Sequence, residues 1–82
     1  MAKRGERLLT WQEVPMGVIA VLEAVRASGR TNMFDHREVA RLAIVMGHPT
    51  EGRWLARASM ENYVTALEAL GAWRSGEADR AR

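Results

Sequence analysis

An all-α fold is predicted: a small bundle of three to four helices with helix–turn–helix-like order. Three observations lead to it. Apolar residues recur at helical spacing from Val18 onward. The stretches between them hold glycine, proline and short polar residues where helices stop and start. Alternation of apolar and polar residues never runs long enough to build a sheet, although Ala72-Trp73-Arg74 reads as a candidate short strand.

Residues 1–10 read as a flexible basic arm, 11–74 as a single helical domain and 75–82 as a frayed tail. Thr10-Trp11-Gln12-Glu13 has the spacing of a capping box. Pro15 lacks a backbone donor, so a short turn over 10–14 is expected, then a helix from Pro15 or Met16. Val18, Leu22 and Val25 fall at i, i+4 and i+7, with Ile19 and Val21 widening the stripe. Ser28-Gly29 ends that helix, glycine taking the left-handed position at little cost.

Asp35 is placed to cap the second helix, with Glu38 three residues on. Phe34 before the cap and Val39 within the helix form an expected hydrophobic staple. Val39, Leu42, Ala43 and Met46 share one face. Gly47 then stops the helix, with Pro49 shortly beyond. Thr50 is expected to cap a third segment. Were it unbroken to Leu70, Ala56, Met60, Tyr63, Ala66, Leu67 and Leu70 would share a face and Trp54 would point the opposite way. Either the helix breaks near Ser59, with Ser59 capping a new one, or Trp54 packs on another element such as the Trp11 segment, or Trp54 sits at a partner surface. Gly71 is expected to end the last helix.

Composition excludes several classes. The 82 residues hold one domain at most. With no cysteine, disulfides and thiolate metal sites are impossible. No apolar run approaches the ~18 residues of a membrane span, and a cleavable signal segment is not expected; the simplest location is cytoplasmic. Twelve basic residues against ten acidic give a net charge of +2, which permits nucleic-acid binding without arguing for it. Eleven of the twelve are arginine, which forks onto phosphate or carboxylate.

Catalytic signals are absent. His36 and His48 are the only imidazoles, and neither has a partner at metal-ligand spacing; no metal or cofactor is expected. His36 reads as a solvated first-turn residue and His48 as a turn residue beside Pro49. No phosphate-binding glycine loop is present, and a non-enzyme is expected. Recognition then falls to the outside of the bundle. Arg37 and Arg41 share a face of the second helix with Ile44; Arg53, Trp54 and Arg57 form a second candidate set. A protein partner is the first expectation. The bland reading makes these arginines ordinary solvated charges.

The rival class is a DNA-binding regulator. Helix 35–46, the turn Gly47-His48-Pro49 and a helix from Thr50 have helix–turn–helix order. Residues 63–74 look like the last helix of many winged-helix domains, running into a first wing strand. Glu51 and Gly52, within the would-be reading helix, are poor readers of bases or phosphates. Alanine is abundant in the expected core and contributes little apolar area, so self-association is also expected.

The joint Gly29-Arg30-Thr31-Asn32-Met33-Phe34-Asp35 resembles a family of small phage and prophage proteins classed only as a domain of unknown function. The pattern covers roughly residues 15–70: Val18 to Ser28, Thr31 to Asp35, Val39 and Leu42-Ala43, Gly47, Trp54-Leu55 and Tyr63-Val64. The chain departs from it in its longer basic N-terminus, in Pro49 and in its Ala-rich last helix. The resemblance implies a phage-encoded accessory protein that binds host machinery, a defence system or its nucleotide signal, inside an infected or lysogenic bacterium. The joint has a structural reading of its own: Asp35 caps, Phe34 staples, Met33 plugs the core, and Thr31 and Asn32 belong to the turn.

Overall fold

A computed structural model describes residues 7–76. A 3-10 turn, Trp11–Glu13, precedes four α-helices: α1 Met16–Ser28, α2 His36–Val45, α3 Pro49–Arg57 and α4 Met60–Ser75. No strand occurs among the described residues. The α2 and α3 helices form the most intimate pair, and α1 packs on all three other helices. The core is Val14, Val18, Ile19, Val21, Leu22 and Val25 against Val39, Ala40, Leu42, Ala43, Leu55, Tyr63, Ala66, Ala69 and Leu70. Trp11, Met33, Met46, Trp54 and Leu67 pack around it, half-buried.

The local signals explain most boundaries. Pro15 is the N-cap of α1, and Gly29 closes it at φ 66°, its N–H donating to the Arg26 carbonyl. Asp35 caps α2 by accepting from the Glu38 N–H at 3.2 Å. At the other end Gly47, at φ 96°, donates to the Ile44 carbonyl, and the His48 N–H donates to the Ala43 carbonyl at 2.9 Å. Those two bonds are the paired closure of a Schellman motif. The chain breaks at Ala58, and Ser59 caps α4 by accepting from the Asn62 N–H at 3.1 Å. The break sets Trp54 half-buried against the core. At the N-terminal turn, Thr10 donates its N–H to Glu13 Oε1 at 2.9 Å. That bond, with Arg7 beside it, holds the Glu13 carboxyl below its ordinary value.

Four expectations are corrected. Thr50 does not cap α3: Pro49 is its first residue and His48 its N-cap, because a fixed φ and a missing N–H suit that first position. Phe34 makes no staple and stands 80% exposed. The reason is the Asn32 turn, in which Oδ1 accepts from the Phe34 N–H at 2.8 Å and the Asn32 carbonyl accepts from the Asp35 N–H. That turn sends Met33 toward the core and Phe34 to solvent. Gly71 does not end α4, and Ala72-Trp73-Arg74 is helix rather than strand. A mid-helix glycine costs only about 1 kcal/mol, while buried Ala69, Leu70 and Ala72 hold that stretch to the core; Gly76, at φ 84°, closes the helix instead. Residues 72–74 therefore form no wing strand. Of the alternatives for the segment after Thr50, the break near Ser59 is the one observed; it interrupts the face that Ala56 and Met60 would have shared with Tyr63, and both are exposed.

The expected arm and tail lie partly outside the described residues, at 1–6 and 77–82. Arg7 and Leu9 are held by Asn62, a 5%-exposed residue of α4. Its Oδ1 accepts from the Leu9 N–H at 2.9 Å and its Nδ2 donates to the Arg7 carbonyl at 3.0 Å. Across the bundle Glu23 of α1 accepts from Arg26 and from Arg74 of α4. Hydrogen bonds from Arg26 first, then Arg74, hold its carboxyl down at about 2.

Candidate functional site

The α2–α3 pair is the element from which the site is built. Gly52 lies where the two backbones meet: a Cβ there would strike Ile44 Cγ1 and stand 3.1 Å from both the Ala40 carbonyl oxygen and the Ile44 amide nitrogen. Glycine is thus required by close approach, not by turn geometry. The near contact leaves an open groove of about 330 Å³ lined by His36, Arg37, Ala40, Arg41, Ile44 and Ala56. Ala40 and Ala56 keep the floor shallow and apolar, and Ile44 stays 43% exposed at one end.

Three residues expected on this face, Arg37, Arg41 and Ile44, are brought together there. The two arginines differ. Arg41 forks onto Glu38, Nε donating to Oε1 at 2.9 Å and Nη2 to Oε2. The Arg41 hydrogen bond holds the Glu38 carboxyl below its usual range and raises the guanidinium in return. Arg37 is exposed and makes no ion pair among the described residues.

His36 was expected in solvent, and the structure corrects this. Its Nε2 stands 2.5 Å from the Leu55 carbonyl, which can only accept, so that nitrogen carries a proton. The ring stacks on Tyr63 with centroids 4.3 Å apart and planes 15° from parallel. Tyr63 in turn donates its hydroxyl to the Met33 carbonyl. Burial, with the Asp35 charge second, pushes the Tyr63 phenol up to about 12. One imidazole therefore ties α2 to α3 and α4 and fixes the groove's N-terminal wall. No sequence signal links residues 36, 55 and 63, because their spacing belongs to no single helix.

The second expected set does not join the first. Trp54 and Arg57 line a groove of about 320 Å³ with Arg7, Leu9, Ala58 and Asn62. Both also line a groove of about 260 Å³ beside Pro15, Val18 and Thr50. Arg53 is exposed on α3 and lines none of the three grooves. The joint residues Thr31 and Asn32 line none of them either. The Thr31 hydroxyl donates to the Asn32 carbonyl at 3.4 Å, and the Asn32 side chain is spent on the turn.

Among the described residues no three His, Asp or Glu side chains stand close enough to share a metal ion. Nor is any described helix long and apolar enough to cross a membrane. No protein-family model, curated protein or solved structure matches this chain.

Proposed function

We propose that this chain is a non-catalytic binding protein that docks through the α2–α3 groove onto a protein surface carrying both acidic and apolar groups. The groove itself carries the reading: an alanine floor, one exposed Ile44 and an Arg37 with no ion pair among the described residues, beside Arg41 forked onto Glu38. Such a surface rewards a partner that brings a carboxylate next to an aliphatic side chain. The Arg37 guanidinium steers the approach and the apolar floor retains the partner. On the resemblance that residues 15–70 bear to small phage proteins, the proposal extends to an accessory factor, of host-takeover or anti-defence type, in the bacterial cytoplasm. Self-association is part of the same reading, since the alanine-rich core leaves Phe34, Val45, Met60 and other large apolar side chains in solvent.

A second reading, duplex DNA binding, is favoured by a specific observation. The three residues between α2 and α3 make a tight glycine-containing turn, and the outer face of α3 presents Thr50, Arg53, Ala56 and Arg57 with no carboxylate among them. Arg53 and Arg57 make no ion pairs among the described residues.

Fluorescence anisotropy separates the readings. Under the first, a labelled acidic amphipathic peptide binds the native chain, and Arg37→Glu with Arg41→Glu weakens it roughly tenfold or more, as for loss of a charge-paired contact. Under the second, a labelled duplex binds instead, with an affinity that falls steeply as salt rises. Absence of peptide binding at low salt removes the docking reading.

A further inference from the structure

The surface opposite in character to the groove lies on α4. Between Met60 and Trp73 this helix has no lysine or arginine, yet it carries Glu61 and Glu68. Neither carboxylate has an ion-pair partner among the described residues. Met60, Glu61, Val64, Glu68 and Gly71 are all exposed, and at helical spacing they share one outward arc of about 100°. Met60 is 56% and Val64 43% exposed, so the arc is apolar as well as acidic. The helix therefore has apolar residues on two sides: Tyr63, Ala66, Ala69 and Leu70 turn to the core, and Met60 and Val64 turn to water. A soluble helix that serves a single core keeps its second side polar.

The exposed arginines that make no ion pair among the described residues, Arg30, Arg37, Arg53 and Arg57, all lie on α2, α3 or the joint before them, although α3 also carries Glu51. Glu61 and Glu68 stand two turns apart, about 10 Å along the axis, with Val64 between them. Arg37 and Arg41 stand one turn apart on α2, about 6 Å along the axis, with Ile44 nearly a further turn on, a span that long arginine and glutamate side chains bridge. Each face thus offers what the other lacks.

We infer that the groove's occupant includes a second copy of this chain, whose α4 lays Met60 and Val64 over Ala40 and Ile44 and brings Glu61 and Glu68 to Arg37 and Arg41. This rests on the groove being a docking surface. The two faces differ, so the contact is head-to-tail, and it extends beyond a pair unless a ring closes. An external acidic partner competes for the same groove, and self-assembly then holds the protein in a reserve that the partner draws down.

Sedimentation velocity of the native chain, from micromolar to millimolar, tests this with two reversed variants: Arg37→Glu with Arg41→Glu, and Glu61→Arg with Glu68→Arg. The native chain is expected to associate with rising concentration, and molar salt should weaken that association roughly tenfold or more. Each reversed variant alone has two like-charged faces and is expected to sediment as a monomer. Mixed in equal amounts, the two present opposite faces to one another and should assemble again, which also shows that both are folded. A native chain that stays monomeric to millimolar concentration overturns the inference, as do reversed variants that associate like the native chain or a mixture that stays dissociated. Peptide binding to a monomeric native chain would remove self-assembly and leave the docking surface standing.

Discussion

At Gly52 the α3 backbone rests against Ala40 and Ile44, whereas Gly71 has nothing within 4 Å of where a Cβ would project. Both are mid-helix glycines, and replacement by alanine should recover up to about 1 kcal/mol of helix propensity at either. At Gly71 nothing opposes that gain, so Gly71→Ala is expected to stabilise. At Gly52 overpacking costs about 1–3 kcal/mol, and part of the obstruction is backbone that cannot rotate away, so Gly52→Ala is expected to destabilise. Urea denaturation of the two variants reads the opposite signs directly. Tyr63, the only tyrosine, gives a second residue-scale test. Its folded value of about 12 lies above its ordinary 10.0. The neutral phenol therefore contributes stability that is complete below pH 10 and is lost as pH rises from there through about 12. Phenolate absorbance should titrate late in the folded chain and near its ordinary value in urea.

Caps and closures decide where the helices lie. Asp35 and Ser59 each satisfy one first-turn N–H, and their replacement by alanine should cost about 1 kcal/mol apiece. The two caps share no partner, so the double variant should lose about the sum; a large departure from additivity in chemical denaturation would show that α2 and α4 do not form independently. The register conflict at Trp54 left a break near Ser59 as one of three alternatives in the sequence, and the Ser59 cap on Asn62 N–H decides for it. Thr50 was misread because Pro49 offers two local roles, stopping one helix or opening the next, and only the Schellman closure at Gly47 settles which. Phe34 was misread for a comparable reason: the staple spacing was present, but the Asn32 side chain had already set the direction of the turn.

Across the whole molecule, a core this rich in alanine leaves a thin margin. Leu22 is fully buried at the centre of α1. Its replacement by alanine should cost about 2–5 kcal/mol, comparable to the whole stability that a chain of this size supports. Leu22→Ala is therefore expected to be largely unfolded at room temperature by circular dichroism. The outer surface follows another logic: Arg37, Arg53 and Arg57 of α2 and α3, and Glu61 and Glu68 of α4, are exposed with no ion pair among the described residues. Arg37, Arg41 and Ile44 could be grouped from spacing alone because they lie on one helix. Ala56 and His36 could not be added to them, nor Trp54 and Arg57 separated from them, without knowing how α3 crosses α2.

Helical class, the extents of α1 and α2, the Asp35 cap and the apolar stripe of α1 followed from the sequence by itself, because each depends on residues within a turn or two of one another. Tertiary structure alone decided the rest. The Asn62 hold on Arg7 and Leu9, the stacking of His36 on Tyr63, the glycine contact at Gly52 and the groove built on it all join residues far apart in the chain. Their partners are chosen by packing, and packing leaves no trace in local spacing.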